Sequence, residues 1–220
     1  PVKLDEKKIY PIENYGSAMA PFYSTLAIWV GAVVMAAMLK VTVADSTKKI
    51  LFHPKEYQLY IGRILLLIII GFMQSALICL GDLFFLGIQC KHPVMFVLTG
   101  MFTSFVYVNL IYALTVSFGD IGKAIAVVLM VMQVAGSGGT FPIQCAPKFF
   151  QVVYPLLPFT HSMNAMRECI AGFYGTTYAA EIGKLAIYLV PSLLLGLLLR
   201  KPIIKMNDAF MEKLESTHLI

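Results

Sequence analysis

Long runs of apolar residues without any charged side chain are the feature that most constrains this chain. No Asp, Glu, Lys or Arg lies between Glu13 and Lys40, and the run from Ile64 to Leu80 is almost purely aliphatic. A helix needs roughly 20 consecutive apolar residues to cross the hydrocarbon core of a bilayer, which is about 30 Å thick. Segments of this length and composition predict membrane-spanning helices.

The composition argues against an ordinary water-soluble fold. Hydrophobic residues make up 59% and charged residues 13% of the 220 residues, whereas soluble domains are about half apolar and about a quarter charged. The net charge of +5 sits in short basic blocks between apolar runs. That distribution is typical of the flanks of membrane helices and not of a nucleic-acid-binding surface. We therefore expect a lipid bilayer, and no nucleic acid, as the environment of this chain.

The apolar runs predict an all-α membrane protein with five transmembrane helices. We expect residues 1–19 to be an extracellular linker from a longer protein, and 201–220 to be a cytoplasmic amphipathic tail, because apolar residues recur there every four positions among charges. Between them lies a membrane domain over 20–200, whose predicted helices cover about 20–39, 63–88, 94–117, 121–136 and 182–199.

Glycine and proline residues interrupt the helical pattern before the last predicted helix. Residues 136–142 contain three glycines and end in a proline, and Pro155 and Pro158 break the next apolar stretch. In a helix interior glycine costs about 1 kcal/mol and proline about 3 kcal/mol. We therefore predict an extracellular re-entrant hairpin of short broken helices over 137–180, whose backbone polar groups must be satisfied by protein or by a water-filled cavity.

The candidate hinge residues of this hairpin are Gly136, Gly138, Gly139, Pro142 and Pro158. Small residues permit close packing of helix backbones in a membrane, so close packing or a gating hinge is the favoured interpretation. A phosphate cradle is the alternative, but it requires a helix N-terminus and a cation on the nucleotide side of the membrane.

Basic residues predict which side of the membrane each end faces. Ten of the 17 Lys and Arg residues fall on the face that holds the connection after the first helix, the link between the third and fourth helices, and the C-terminus. The other face holds seven. Because cytoplasmic loops carry an excess of Lys and Arg, we predict a cytoplasmic C-terminus, with the N-terminus and the hairpin outside.

Asp82, Arg167 and Glu168 are the candidate intramembrane polar residues. Insertion of a carboxylate into the bilayer costs at least about 2.5 kcal/mol, so Asp82 could line a substrate path. Alternatively it lies at the outer end of the second helix, where it pairs with Lys91 or caps a turn, and Gly81-Asp82 near a helix end favours this second interpretation. We expect Arg167 and Glu168 to satisfy backbone groups of the broken helices.

No catalytic, cofactor or metal site is predicted. The nearest approach to a P-loop, Gly122-Lys123-Ala124, lacks the hydroxyl and the preceding glycine loop. A hydrolase set could be assembled from His161 and Glu168 with Ser137 or Ser162, but nothing in the sequence places a nucleophile within reach of a base. A structural role is favoured for these residues, and the chain is not expected to be an enzyme.

The four cysteines, at positions 79, 90, 145 and 169, have no spacing suited to zinc. Packing roles are favoured for them. A disulfide among Cys90, Cys145 and Cys169 is conceivable, because all three fall on the predicted outer side.

Several short motifs resemble a known family. They are Asn14-Tyr15-Gly16, Gly81-Asp82-Leu83, Lys91-His92-Pro93, Gly-Ser-Gly-Gly-Thr-Phe-Pro-Ile over 136–143, Leu157-Pro158-Phe159-Thr160 and Arg167-Glu168. Nearly the whole chain resembles the C-terminal membrane domain of the phage infection protein (YhgE/Pip) family. That family is related to the permease halves of type-two ABC exporters and to a membrane component of the type VII secretion system. His161-Ser162 and Cys145 depart from the family pattern within the hairpin.

The resemblance implies a multi-pass protein of the bacterial cell membrane, forming a homodimer or homo-oligomer. It implies that residues 40–63 correspond to the loop that docks on an ABC ATPase subunit carried by another chain. The candidate docking residues are Ile50, Leu51, Phe52 and Tyr57, although the same side chains could bury at the membrane interface. The expected function is a permease-like domain for export or transmembrane transport. The alternative is a membrane anchor for a large extracellular domain that acts as a phage receptor or with type VII secretion-system components.

Overall fold

The computed structural model describes residues 12–39 and 56–199. All regular elements in these two ranges are helical, which confirms the all-α prediction. In chain order they are α1 (Tyr15–Met38), α2 (Glu56–Phe84), α3 (Pro93–Phe118), α4 (Asp120–Gly136), a 3-10 turn (Ile143–Cys145), α5 (Lys148–Val153), a second 3-10 turn (Tyr154–Leu156), α6 (Pro158–Ala171), α7 (Thr177–Ile187), α8 (Leu189–Leu193) and a π-helical end (Leu194–Leu199). Most of the predicted linker, the connection after α1 and the predicted tail lie outside the described residues.

Four helical segments are long and apolar enough to cross a membrane. They are Tyr15–Met38, Tyr57–Phe84, Pro93–Phe118 and Thr177–Leu197. The fourth predicted helix is present as α4, with 17 residues. At 1.5 Å per residue it is about 25 Å long, shorter than a hydrocarbon core of about 30 Å. A fifth crossing, the depth of the hairpin and the orientation of the bundle therefore stay predictions.

The first two helices begin earlier than their apolar runs indicate. Helix α1 begins at Tyr15, before the predicted residue 20, because the Asn14 side chain caps it by accepting a hydrogen bond from the Ser17 N–H at 2.8 Å. Pro21 consequently lies in the second turn of the helix. Helix α2 begins at Glu56 and not at 63, and it ends at Phe84 and not at 88. Gly87 follows with φ of +61°, a conformation that cannot continue a right-handed helix.

The last membrane helix also begins earlier, at Thr177 and not at 182. This places Glu181 inside the fourth candidate span. The carboxylate is tolerated there because it pairs with His161 of α6 and with Lys184 one turn further along α7.

The predicted hairpin consists of two 3-10 turns and two α-helices. Pro155 lies in the second 3-10 turn, and Pro158 is the first residue of α6, where its missing N–H leaves no helical bond unmade. Helix α6 has 14 residues and packs against α1 and α3, so it is longer and more deeply enclosed than the predicted short pieces.

A ring pair at the centre of the bundle joins four helices. The Trp29 indole of α1 packs edge to face on the Tyr107 ring of α3, with ring centroids 4.8 Å apart, and both residues are fully buried. The indole N–H donates to the Ala126 carbonyl of α4 at 3.2 Å, and the Tyr107 hydroxyl donates to Ser162 of α6 at 2.9 Å. Aromatic side chains with satisfied polar groups anchor this core.

The long helices run between two ends of the bundle. At the hairpin end, the turn after α2 bonds to α6, where the Lys91 N–H donates to the Ile170 carbonyl at 3.1 Å. Thr99 and Tyr178 share a hydrogen bond at 2.9 Å at the same end. At the opposite end, the rings of Tyr60 and Tyr112 lie 4.9 Å apart. Helix α3 reaches both ends and packs against all the other long helices.

Candidate functional site

A cleft of about 430 Å³ opens at the hairpin end, between the start of α1, one face of α6 and the start of α7. Small-molecule sites have volumes of roughly 300–1,000 Å³, so this α1–α6 cleft is large enough for a ligand. Its walls are formed by Ile12, Ser17, Ala18, Pro21, Asn164, Arg167, Glu168, Ile170, Ala171 and Thr177.

Among the described residues that line the α1–α6 cleft, Arg167 is the one cation. Its guanidinium lies 3.4 Å from the carbonyl oxygen of Gly138 and 3.5 Å from that of Gly139. A third contact, at 3.5 Å, joins it to the Asn164 side-chain oxygen. Burial lowers the pKa of Arg167 from its ordinary value, and the side chain remains a cation because arginine titrates far above neutral pH.

Glu168, the next residue, holds the chain that follows α6. Its carboxylate accepts a hydrogen bond from the Tyr174 N–H at 2.7 Å, and the residue is only 2% exposed. The helix ends at Gly172, which has φ of +108° and lets the chain turn back. Arg167 and Glu168 thus both contact backbone groups of the broken segment, Arg167 before α6 and Glu168 after it.

The predicted hinge residues occupy distinct structural positions. Gly136 is the last residue of α4, and a Cβ there would lie 3.0 Å from the Phe150 ring. Gly138 has φ of +64°, and a Cβ on Gly139 would overlap the ring of Phe22 on α1. Pro142 precedes the first 3-10 turn. Close packing explains Gly136 and Gly139, whereas backbone conformation explains Gly138.

Asp82 lies in the last turn of α2. Its carboxylate contacts the Ser24 hydroxyl of α1 and not Lys91. Its main-chain carbonyl accepts the Ile88 N–H at 3.2 Å in the turn that follows. Asp82 does not line the α1–α6 cleft.

A buried ionic cluster between α6 and α7 was not predicted from the sequence. The Nδ1 atom of His161 lies 2.7 Å from one Glu181 carboxylate oxygen, and the Lys184 ammonium lies 2.8 Å from the other. The second His161 nitrogen, Nε2, lies 3.0 Å from the Pro155 carbonyl oxygen. The spacing of Glu181 and Lys184, three residues apart, was the one sequence signal that could have indicated part of it.

The residues of the hydrolase hypothesis are not brought together. The Nδ1 atom of His161 contacts Glu181, and its Nε2 atom contacts the Pro155 carbonyl oxygen. Neither ring nitrogen contacts Ser137 or Ser162. The Ser162 hydroxyl accepts from Tyr107 and donates to the Pro158 carbonyl at 3.1 Å. The arrangement of these side chains is that of a packed helix interface.

All four cysteines are free thiols, so the conceivable disulfide is not formed in this structure. Burial raises the pKa of Cys169 to about 11, and burial also raises the pKa of Cys90. Cys145, in the first 3-10 turn, is exposed. Cys145 is therefore the most accessible of the four thiols.

Of the candidate docking residues, only Tyr57 can be located. It lies in the first turn of α2, at the opposite end from the cleft, and is 50% exposed. The other three, Ile50, Leu51 and Phe52, lie outside the described residues.

The described residues form an all-helical bundle with four candidate membrane spans, which defines a multi-pass membrane domain. The chain belongs to the family described as ABC-2 family transporter protein, whose model matches residues 1–199. It is 28% identical over 172 residues to the protein named "Uncharacterized protein YhgE" of Bacillus subtilis (strain 168), a match that covers 78% of this chain. The chain spans only 21% of that relative's length. No solved structure matches the chain.

Proposed function

We propose that this chain is the permease-like membrane domain of a bacterial transporter, acting in export and without catalytic activity of its own. The observation that carries the proposal is the family match over residues 1–199. The resemblance of the hairpin motifs to a family related to type-two ABC exporters supports the same reading. ATP hydrolysis, in this proposal, is supplied by an ABC ATPase subunit on another chain.

The arrangement of the two ends supports docking of an ATPase opposite the cleft. Tyr57, the beginning of α2 and the link between α3 and α4 lie together at the opposite end. Tyr57 belongs to the proposed docking loop, residues 40–63. Helix α3 extends from there to the hairpin end. We place the docking end in the cytoplasm, the hairpin and N-terminal end outside, and α3 as the element that joins the two.

Exposed apolar faces support both lipid contact and a homodimer or homo-oligomer. Burial is low along two of the candidate spans, with 28% of the α2 window and 22% of the Thr177–Leu197 window enclosed by the rest of the described chain. In the membrane such faces contact acyl chains or a second copy. The side chains exposed on α2 include Ile61, Leu65, Ile69, Met73 and Leu77.

A second proposed function follows from the length of the relative, of which this chain spans only 21%. In this alternative the helices anchor a large extracellular domain, which acts as a phage receptor or as part of a type VII secretion machine. The bundle would then be a scaffold, and no ATPase would bind to it.

Affinity purification in mild detergent, followed by mass spectrometry, distinguishes the two functions. We expect an ABC-type ATPase to co-purify with the full-length protein and to be lost in the Ile50→Asp, Phe52→Asp variant. The matched control is Phe141→Asp, which changes an exposed apolar residue, 74% accessible, at the hairpin end. Recovery of secretion components, or of the protein alone, would move the conclusion to the scaffold.

Co-expression of two differently tagged copies tests self-association in the same preparation. Recovery of both tags with either affinity resin is the result expected for a homodimer or homo-oligomer. Recovery of one tag only would contradict it.

A further inference from the structure

The charge of Arg167 is not neutralised within the described part of the chain. The ion pairs there involve Asp120, Glu181 and their basic partners, and none includes Arg167. Its polar contacts are two carbonyl oxygens and one amide oxygen, all 3.4–3.5 Å away. Strong hydrogen bonds of a guanidinium to an anion are shorter, about 2.7–2.9 Å.

A guanidinium has five N–H donors arranged in a rigid fork that matches carboxylate and phosphate oxygens. The three long contacts leave much of this capacity for a ligand in the α1–α6 cleft. The negative charge nearest in sequence, Glu168, is nearly inaccessible, and it is engaged by the Tyr174 N–H. Among the described lining residues, Arg167 is therefore the charged group that the open part of the cleft presents.

The rest of the cleft is mainly apolar. Ile12, Ala18 and Pro21 line the α1 side, and Ile170 and Ala171 line the α6 side. Ser17, Asn164 and Thr177 are the uncharged polar residues of the lining. A small inorganic anion would leave these apolar walls unused, whereas an amphipathic molecule would contact both the walls and the arginine.

We propose that the α1–α6 cleft binds the anionic headgroup of a lipid-like amphipathic molecule, with Arg167 contacting a phosphate or carboxylate and the α1 and α6 walls contacting the apolar part. Basic pockets between membrane helices hold phosphate headgroups by the same chemistry. This inference deepens the proposed function by naming the chemical class of molecule at the cleft. Binding at the cleft does not require the transport role, whereas translocation of the bound molecule rests on the proposed function.

Native mass spectrometry of the full chain in mild non-ionic detergent measures this binding directly. The probes are short-chain phosphatidylglycerol, which is anionic, and short-chain phosphatidylcholine of the same chain length, which is zwitterionic. We expect preferential retention of phosphatidylglycerol, and retention on the order of tenfold weaker in Arg167→Gln. Arg167→Lys keeps the charge and should recover part of the binding.

Lys148→Gln is the matched control, because it removes an exposed cation from α5 without touching the cleft. Since Arg167→Gln also removes the contacts to Gly138 and Gly139, a second variant keeps those contacts. Ala18→Phe fills the cleft from the α1 side and is expected to weaken phosphatidylglycerol retention with Arg167 intact.

Equal retention of the two lipids, or equal losses in Arg167→Gln and Lys148→Gln, would overturn the proposal. Displacement of phosphatidylglycerol by inorganic phosphate at the same concentration would contradict the proposed contact of the apolar part with the cleft walls, because a free anion would then bind as well as the lipid. The measurement needs neither ATP nor a partner chain. Failure of lipid binding is thus distinguishable from failure of ATPase co-purification, and either can occur without the other.

Discussion

The Ser24 hydroxyl of α1 contacts the Asp82 carboxylate of α2, and this contact joins the two helices at the hairpin end of the bundle. The same hydroxyl lies 2.7 Å from the Ala20 carbonyl oxygen. A hydroxyl has one proton and can donate to only one acceptor at a time. The Ser24 hydroxyl therefore has two acceptors within reach, the Asp82 carboxylate and the Ala20 carbonyl, and can donate to only one of them.

Asp82→Asn should preserve this site, because an amide can donate to Ser24 while Ser24 donates to Ala20. We expect it to change the free energy of unfolding by less than about 1 kcal/mol, whereas Ser24→Ala leaves the half-buried carboxylate without its partner and costs about 1–3 kcal/mol. Unfolding of purified protein in detergent measures both. Equal losses of unfolding free energy in Asp82→Asn and Ser24→Ala would contradict the hydrogen bond between Ser24 and Asp82.

Gly139→Ala should destabilise the contact between the hairpin and α1. The added Cβ would overlap the ring of Phe22, which is 3% exposed and packs against Phe159 with centroids 5.6 Å apart. Overpacking of this kind costs about 1–3 kcal/mol. The loss is measured by thermal unfolding in detergent.

The matched glycine control is Gly183→Ala in α7, where a Cβ meets nothing within 4 Å. This change should be neutral or stabilise by up to about 1 kcal/mol, since alanine is the better helix former. Combining Gly139→Ala with Phe22→Leu makes room for the Cβ and should recover part of the stability. No recovery would show that packing against Phe22 is not the cause.

Glu181→Ala should be among the more damaging substitutions in α7. Glu181 is 7% exposed and His161 is 4% exposed, so removal of the carboxylate leaves a buried imidazole without its partner, at a cost of about 3 kcal/mol. Lys184 holds the other carboxylate oxygen, but its side chain is 52% exposed, and exposed pairs contribute less than about 1 kcal/mol. The Lys184→Ala variant should thus unfold close to the wild type, and a ranking in the reverse order would contradict the burial argument.

Cysteine labelling should place the hairpin relative to the membrane. Cys145 is exposed, whereas Cys169 is buried and burial raises its pKa to about 11, so that its reactive thiolate is scarce at neutral pH. An outside hairpin predicts that a membrane-impermeant maleimide labels intact cells and that Cys145→Ser removes most of the signal. Labelling only after the cells are permeabilised would reverse the predicted orientation.

The sequence predicted the helices more accurately than their ends. Both ends of α3 were predicted to within one residue, because Pro93 and Gly119 are local signals for the start and the stop of a helix. The start of α1 was missed, although Asn14 is a strong N-cap residue, because the apolar run begins further along the chain. The start of α7 was predicted at 182 and not at Thr177, and the His161 partner that compensates Glu181 in the added turn lies on another helix.

Membrane insertion, the helical class and the position of the broken segment were determined by the sequence itself, since apolar content and helix breakers are local properties of the chain. Side-chain partners were decided only by the tertiary structure. Ser24 meets Asp82 across 58 positions, and Arg167 meets Gly138 across 29. No local pattern encodes such pairs, because the direction in which packed helices point their side chains decides which groups meet.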